Sequence, residues 1–264
     1  MTADTHATRP IPSPALGANV ITIASGKGGV GKTWFSTTLT HALARHGANC
    51  LLFDGDLGLA NVDIQLGLNP RVDIGHVISG GLDIKSSVSR YQGPDEAAGF
   101  DVIAGKSGSG ALASLGRLQL KALKNELLLI SRGYDRVVLD LGAGIDQAVT
   151  TMAVETGTIV TVITGEPTSL TDAYALIKTL VTRQPGLDIR IVVNQAETLH
   201  DGKRAYTTLL KACETFLKVS PGLLGVIRRD KHVAESIRRQ SPILARHPQA
   251  NAARDVEAIA RALS

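Results

Sequence analysis

The sequence predicts an α/β fold: a single doubly wound, mostly parallel sheet with helices on both faces. Three observations predict it. Short aliphatic runs recur along the chain with helix-length amphipathic stretches between most of them, which is the spacing of strand–helix–strand units. Aromatics make up only 3% of the 264 residues while glycine occurs 27 times, a balance suited to aliphatic parallel strands joined by tight turns. The first aliphatic run leads straight into a glycine loop and then a helix. At 44% hydrophobic, a chain of this length has ample apolar surface for a core.

Taken in order, residues 1–18 read as a flexible arm, because Pro10, Pro12 and Pro14 forbid helix and no hydrophobic period is present; the domain is expected over 19–264. "VITIAS" (20–25) is a buried strand, and Phe35, Leu39, Ala42 and Leu43 fall on one face of a helix that stops at Gly47. Further strands are expected at 50–54, 100–104, 136–141, 158–164, 188–194 and 223–227, and helices at 117–131, 168–183, 202–217 and 231–239. In helix 168–183, Ser169 and Asp172 read as a capping box ahead of Leu170, Ala173, Leu176, Ile177 and Leu180. The low-complexity stretch "GKSGSGALAS" (105–114) imitates a phosphate loop, but Phe100 stands where the first glycine is required.

Composition narrows the function. The net charge of +4 is mild enough for nucleotide binding and ordinary solubility to account for it. Cys50 and Cys213 stand far apart without a CxxC, which supports neither a disulfide framework nor a metal or iron–sulfur site and fits a reducing cytoplasm. No run approaches the ~18 apolar residues of a membrane span. The expected location is the cytoplasm.

The stretch "GKGGVGKTW" (26–34) carries the chemistry. Gly26, Gly31, Lys32 and Thr33 satisfy G-x-x-x-x-G-K-[ST] between a predicted strand and a predicted helix. Glycines let successive backbone N–H groups converge on phosphate oxygens, and the helix N-terminus adds its dipole. Lys32 neutralises the β- and γ-phosphates, and Thr33 offers a hydroxyl to Mg²⁺. The nucleotide-contact candidates are therefore Gly26, Lys27, Gly28, Gly29, Val30, Gly31, Lys32, Thr33 and Trp34, with no separate role read for Trp34 beyond packing under the loop. The loop wraps phosphate without Lys27, so that cation is free to serve a neighbour or to stay solvated. Asp54 and Asp56 sit at the carboxyl end of the second strand, where α/β sheets place ligands, and Asp140 ends "RVVLD" (136–140). An ordinary solvated pair or turn aspartate is the alternative for each.

"KGGVGKT" (27–33) resembles the deviant Walker A motif of the MinD/ParA family of ATPases. The resemblance covers nearly all of residues 19–245. It implies that Lys27 reaches across a nucleotide-sandwich homodimer to the partner's phosphates, so that ATP binding drives dimerisation and positive charge arrives in the transition state. It further implies catalytic roles for Lys27, Lys32 and Asp56, with Asp56 orienting the attacking water. Thr33, Asp54 and Asp140 would organise Mg²⁺. Asn194, ending "IVVN" (191–194), matches the family's adenine-contacting asparagine, with helix capping as the alternative. Relatives read I-P-x-D where this chain has "IRRD" (227–230), so Arg228 and Asp230 are the remaining base-side candidates.

"DGDLGLANVDIQLGL" (54–68), "LDLGAGI" (139–145) and "EPTSLTDAYALIK" (166–178) are similar to the FlhG branch of the family (FleN/YlxH), which regulates flagellar number and placement. The implied function is an ATP-dependent dimerising switch with slow hydrolysis that acts on flagellar assembly or regulatory proteins. Residues 1–18 lack the N-terminal DQAxxLR-type segment by which such proteins stimulate the GTPase FlhF, so that partnership is not carried over. The alternative is a ParA- or MinD-like protein that positions DNA, division or polar machinery. In that reading Arg228, Arg229, Arg238 and Arg239 touch DNA or an acidic protein, or the stripe Val256, Ile259, Ala260 and Leu263 touches the inner membrane or cell pole. That stripe is short and alanine-rich, which favours packing against the domain. Redox relatives such as the nitrogenase iron protein need paired cysteines that this chain lacks.

Overall fold

The computed structural model describes residues 16–56, 60–93, 98–105 and 115–264. Most of the arm, the stretch 106–114 and residues 57–59 of the flagellar-like motif lie outside the described residues.

The strands are β1 (Val20–Ser25), β2 (Cys50–Gly55), β3 (Val88–Tyr91), β4 (Phe100–Ile103), β5 (Arg136–Ala143), β6 (Thr158–Ile163), β7 (Asp188–Ala196) and β8 (Gly222–Arg228). They form one sheet in the order β3-β4-β2-β5-β1-β6-β7-β8. All neighbours are parallel except β3 and β4, which pair antiparallel at one edge. The helices are α1 (Lys32–Arg45), α2 (Val62–Leu66), α3 (Ile74–Gly80), α4 (Arg117–Ile130), α5 (Gln147–Ala153), α6 (Pro167–Arg183), α7 (Leu199–Ala212), α8 (Lys231–Arg238), α9 (Ile243–Arg246) and α10 (Asn251–Arg261). The expected doubly wound architecture is the observed one.

Alternation along the strands divides the core in two. Val20 and Ala24, Leu51 and Phe53, Val137 and Leu139 point to the face covered by α4, α5, α6 and α7. Ile21 and Ile23, Cys50 and Leu52, and Val138 point to the face covered by α1, α9 and α10. β1 lies between β5 and β6, so its carboxyl end opens at the point where the winding reverses, the crevice in which α/β sheets bind ligands.

Three element readings need correction. Helix α6 begins at Pro167 with Glu166 as its N-cap, because proline's fixed φ suits the first helical position. Ser169 lies inside that helix and is no capping box; its hydroxyl accepts from the Thr164 N–H at 3.0 Å and ties α6 to the end of β6. Helix α7 starts at Leu199, earlier than expected, because Thr198 caps it by accepting from the Asp201 N–H at 3.1 Å. Edge strand β3 and the short helices α2, α3, α5 and α9 carry too little periodicity to be read from sequence.

The C-terminal stripe is core. Val256 and Ala260 are fully buried, Ile259 is 2% exposed, and α10 packs on α1 and β8. A Cβ added at Gly225 would stand 2.5 Å from Ile259 Cγ1, so strand and helix touch closely there. We expect Ile259→Ala to cost about 2–5 kcal/mol, read as a lower urea midpoint at unchanged slope. A cost under ~0.5 kcal/mol would show that α10 unfolds apart from the domain.

Candidate nucleotide-binding site

The loop between β1 and α1 is shaped by where side chains are forbidden. A Cβ at Gly26 would meet the Asp172 carbonyl oxygen at 2.1 Å, because α6 passes directly over the loop. Gly31, the N-cap of α1, holds φ at 90° and faces Asn194 Nδ2, which would stand 2.5 Å from an added Cβ. These constraints turn the loop back on itself and aim the free N–H groups of α1 into the crevice.

A cleft of about 690 Å³ opens over this loop. Its walls include Gly28, Gly29, Gly31, Lys32, Thr33 and Trp34 from the loop and helix start, with Gly55 and Asp56 from the end of β2. Gly142, Ala143, Asp146, Gln147, Ala148 and Val149 supply most of the opposite side, and Asn61, Gln65, Leu115, Leu120 and Ile237 complete the lining. Gly142 passes close to Asp56: a Cβ there would lie 3.3 Å from its Oδ1.

Beneath the loop the electrostatics are tense. Asp54 and Asp140 are opposite each other in the β2–β5 register, and both are fully buried. Burial pushes the Asp140 carboxyl up to about 6, against hydrogen bonds from Thr33 and Ser36 and the nearby Lys32 charge, all of which favour ionisation. Ser36 Oγ donates to Asp140 Oδ1 at 2.9 Å, while Oδ2 is buried with no hydrogen-bond partner. Burial and the neighbouring Asp140 push Asp54 up to about 8. Lys32 is only 8% exposed, and desolvation lowers its pKa against the opposing pull of Asp140 and Asp56. The donor set of Thr33 hydroxyl, Asp56 carboxylate and unpartnered Asp140 oxygen is all hard oxygen, which suits Mg²⁺.

Lys32, Thr33 and Asp56 thus share one cleft, with Asp140 under its floor. Asp54 does not join them: its Oδ1 accepts the Asp56 N–H and its Oδ2 accepts the N–H groups of Asn61 and Val62, each at 3.1 Å, so it organises the loop that carries Asp56. Lys27 turns away from its own loop, donating to Glu166 Oε2 at 2.6 Å and Thr168 Oγ1 at 2.8 Å at the start of α6.

The three base-side candidates are also engaged elsewhere. Asn194 Nδ2 donates to the Val30 carbonyl at 2.8 Å and braces the phosphate loop, and its Oδ1 accepts the Gln195 N–H. Arg228 is paired with Asp255 of α10 through Nε at 2.9 Å and Nη2 at 2.7 Å. Asp230 caps α8, accepting from the His232 N–H at 3.0 Å, so it is an N-cap first. Sequence reasoning gave no site role to Glu166 and Thr168, which lie far from Lys27 in sequence, to Asn61 and Gln65, which sit in the stretch 54–68 read only as a mark of kinship, or to Ile237, which lies in no motif.

A strand-to-helix glycine loop with a buried lysine and acidic strand ends is a nucleotide site, and comparison with known proteins gives its family. The family model for the CobQ/CobB/MinD/ParA nucleotide binding domain matches residues 21–243. The chain belongs to that family. Antiactivator FleN of Pseudomonas aeruginosa is 35% identical over 243 residues, covering 92% of this chain and 85% of FleN. The flagellum site-determining protein YlxH of Helicobacter pylori is 30% identical over 74% of this chain and 64% of its own length. Among solved structures, the septum site-determining protein MinD of Pyrococcus horikoshii complexed with Mg-ADP superposes with a TM-score of 0.77 at 21% identity, over 93% of this chain and 96% of that one. MinD in the MinC:MinD complex of Aquifex aeolicus gives 0.74 at 23%, over 93% and 95%. These two share the fold. Among the described residues no helix is long and apolar enough to cross a membrane.

Proposed function

We propose that this chain is an ATP-dependent molecular switch that dimerises around two nucleotides, hydrolyses ATP slowly, and controls the number or placement of flagella. The observation that carries the reading is the division of labour between the two lysines: Lys32 lines the nucleotide cleft, whereas Lys27 is held outside it by Glu166 and Thr168. A cation built into the loop but aimed away from its own cleft is suited to a partner's phosphates. The flagellar output rests on similarity to FleN and YlxH.

In this reading Lys32 and the loop N–H groups hold the β- and γ-phosphates, and Asp56 orients the attacking water and draws on its proton. Thr33 and Asp140 would hold Mg²⁺, which would supply positive charge to offset that of the phosphates. Asp54 fixes the loop on which Asp56 rides, and Asn194 keeps the phosphate loop closed from behind. Water attacks the γ-phosphorus as the bond to the ADP oxygen breaks, and charge develops where Lys32 and the partner's Lys27 meet it.

The test is the size of the Asp56→Ala protein in solution. Without the water-orienting carboxylate ATP persists, so a dimer is expected with Mg-ATP and a monomer with ADP; a monomer in both states overturns the switch. Trp34, the sole tryptophan, lines the cleft beside Thr33, and its buried indole N–H lacks a hydrogen-bond partner. Its fluorescence is expected to change saturably on ATP addition and to stay unchanged in Lys32→Ala.

A further inference from the structure

On the side of the domain where α8 meets α9, three side chains converge that the nucleotide chemistry does not use. His232 and Glu235 are one turn apart on the same face of α8, and His247 follows the last residue of α9. One ligand atom from each lies within 4.8 Å of the other two, the only such trio of histidine, cysteine or carboxylate groups among the described residues. The two imidazole rings are 4.2 Å apart between centroids and tilted by 35°.

We propose that His232, Glu235 and His247 form a binding site for a first-row transition-metal ion of the zinc class, closed by water. Four observations carry this. First, Asp230 Oδ1 lies 2.8 Å from His232 Nδ1, the carboxylate–imidazole contact that fixes a ligating histidine's tautomer and leaves Nε2 with its lone pair for a metal. Second, the same Asp230 is anchored by the His232 N–H at 3.0 Å, so that orientation is built into the helix cap. Third, His247 Nε2 is buried without a hydrogen-bond partner; it stands 3.4 Å from Glu235 Oε2, close enough for both to bind one ion. Fourth, all three side chains are a quarter to a third exposed, which lets an ion in and lets water complete its shell.

The donor chemistry selects the metal. Two imidazole nitrogens and one carboxylate suit Zn²⁺, Co²⁺ or Ni²⁺, whereas Mg²⁺ takes oxygen and is left to the nucleotide cleft. Zinc holds nitrogen at ~2.0–2.1 Å, so the three side chains must close by roughly an ångström and a half, within reach of partly exposed rotamers. Arg246 Nη2 lies 3.9 Å from Glu235 Oε1 and competes for the carboxylate, so the site is weaker than a structural zinc centre. Bound metal would join α8 to the end of α9 across the turn at Ser241 and Pro242. Because Ile237 of α8 lines the nucleotide cleft, this clamp borders the site already described.

The test uses full-length, tag-free protein stripped with a chelator and kept in excess Mg²⁺, titrated with Zn²⁺ by calorimetry and with Co²⁺ by visible absorption. Both thiols, Cys50 and Cys213, are buried, so no sulfur-to-cobalt band is expected. Wild type should bind one equivalent of Zn²⁺ with a rise in melting temperature. His247→Gln and Glu235→Gln should each weaken binding by ~10–100-fold and cancel that rise while the circular dichroism spectrum stays native. Equal Zn²⁺ affinity and stoichiometry in His247→Gln and wild type, or no uptake by wild type below ~1 mM, overturns the proposal.

Discussion

Lys27→Ala is expected to lower the rate of ATP hydrolysis on the order of 10³-fold while leaving the dissociation constant for ATP within ~threefold of wild type. Lys27 makes its contacts with Glu166 and Thr168, so removing it takes nothing from the subunit's own phosphate cradle. A group that acts only as charge develops lowers kcat and kcat/KM together, whereas one that binds the ground state raises KM. The measurement is steady-state hydrolysis alongside the Trp34 fluorescence titration. Loss of ATP binding in the variant would show that Lys27 acts on its own nucleotide. Glu166→Gln probes the other side: Lys27 holds the exposed Glu166 carboxyl below its ordinary range, so Lys27 must leave this partner before it can reach another subunit. Dimerisation in Mg-ATP should then occur at lower protein concentration, an effect readable by sizing across a dilution series.

What could be read from sequence followed the range of the interactions that fix it. The phosphate loop and the ends of β2 and β5 are written in consecutive residues, because strand, turn and helix start are each local events. The strands themselves were legible for the same reason, since "VITIAS" (20–25) and "CLLFD" (50–54) are short aliphatic runs. The contacts of Lys27, Arg228 and Asn194 were not, because each is made with a distant segment: Glu166, Asp255 and Val30. The contacts of Asp54 were hidden for another reason. Its position in the motif implies a carboxylate near the metal, whereas the three backbone N–H groups that donate to its oxygens come from a loop whose path only the fold shows. Strand β3 was invisible because "VSRY" (88–91) is short and half polar, and its pairing with β4 is set across the chain.

Asp140→Asn should stabilise the nucleotide-free protein and abolish its response to Mg²⁺. The Asp140 carboxyl sits at about 6 in the fold, above its ordinary 3.8, because burial outweighs Thr33, Ser36 and Lys32. The sign is thus opposite to that of a salt-bridged aspartate: the folded chain holds the proton more tightly than the unfolded one between these two values. Stability is therefore full below the lower value and falls as pH rises through about 6. At ~1.4 kcal/mol per pKa unit, the ionised group costs on the order of 2–3 kcal/mol at neutral pH, a figure that already includes its attraction to Lys32. The asparagine keeps an acceptor for Ser36 without the charge, so the variant should melt roughly 4–10 °C higher than wild type at pH ~7, with the gap closing towards pH ~4.5. Adding Mg-ATP should reverse the ranking, since a cation at the unpartnered Asp140 oxygen relieves the cost only where the carboxylate is present. Thermal melts at two pH values, each with and without Mg-ATP, read all of this; a variant less stable than wild type at neutral pH would show that Lys32 needs the Asp140 charge more than burial opposes it. The fold thus gives up stability at Asp140 to keep an unneutralised oxygen under the phosphate loop, the kind of strain an active site retains because its ligand removes it.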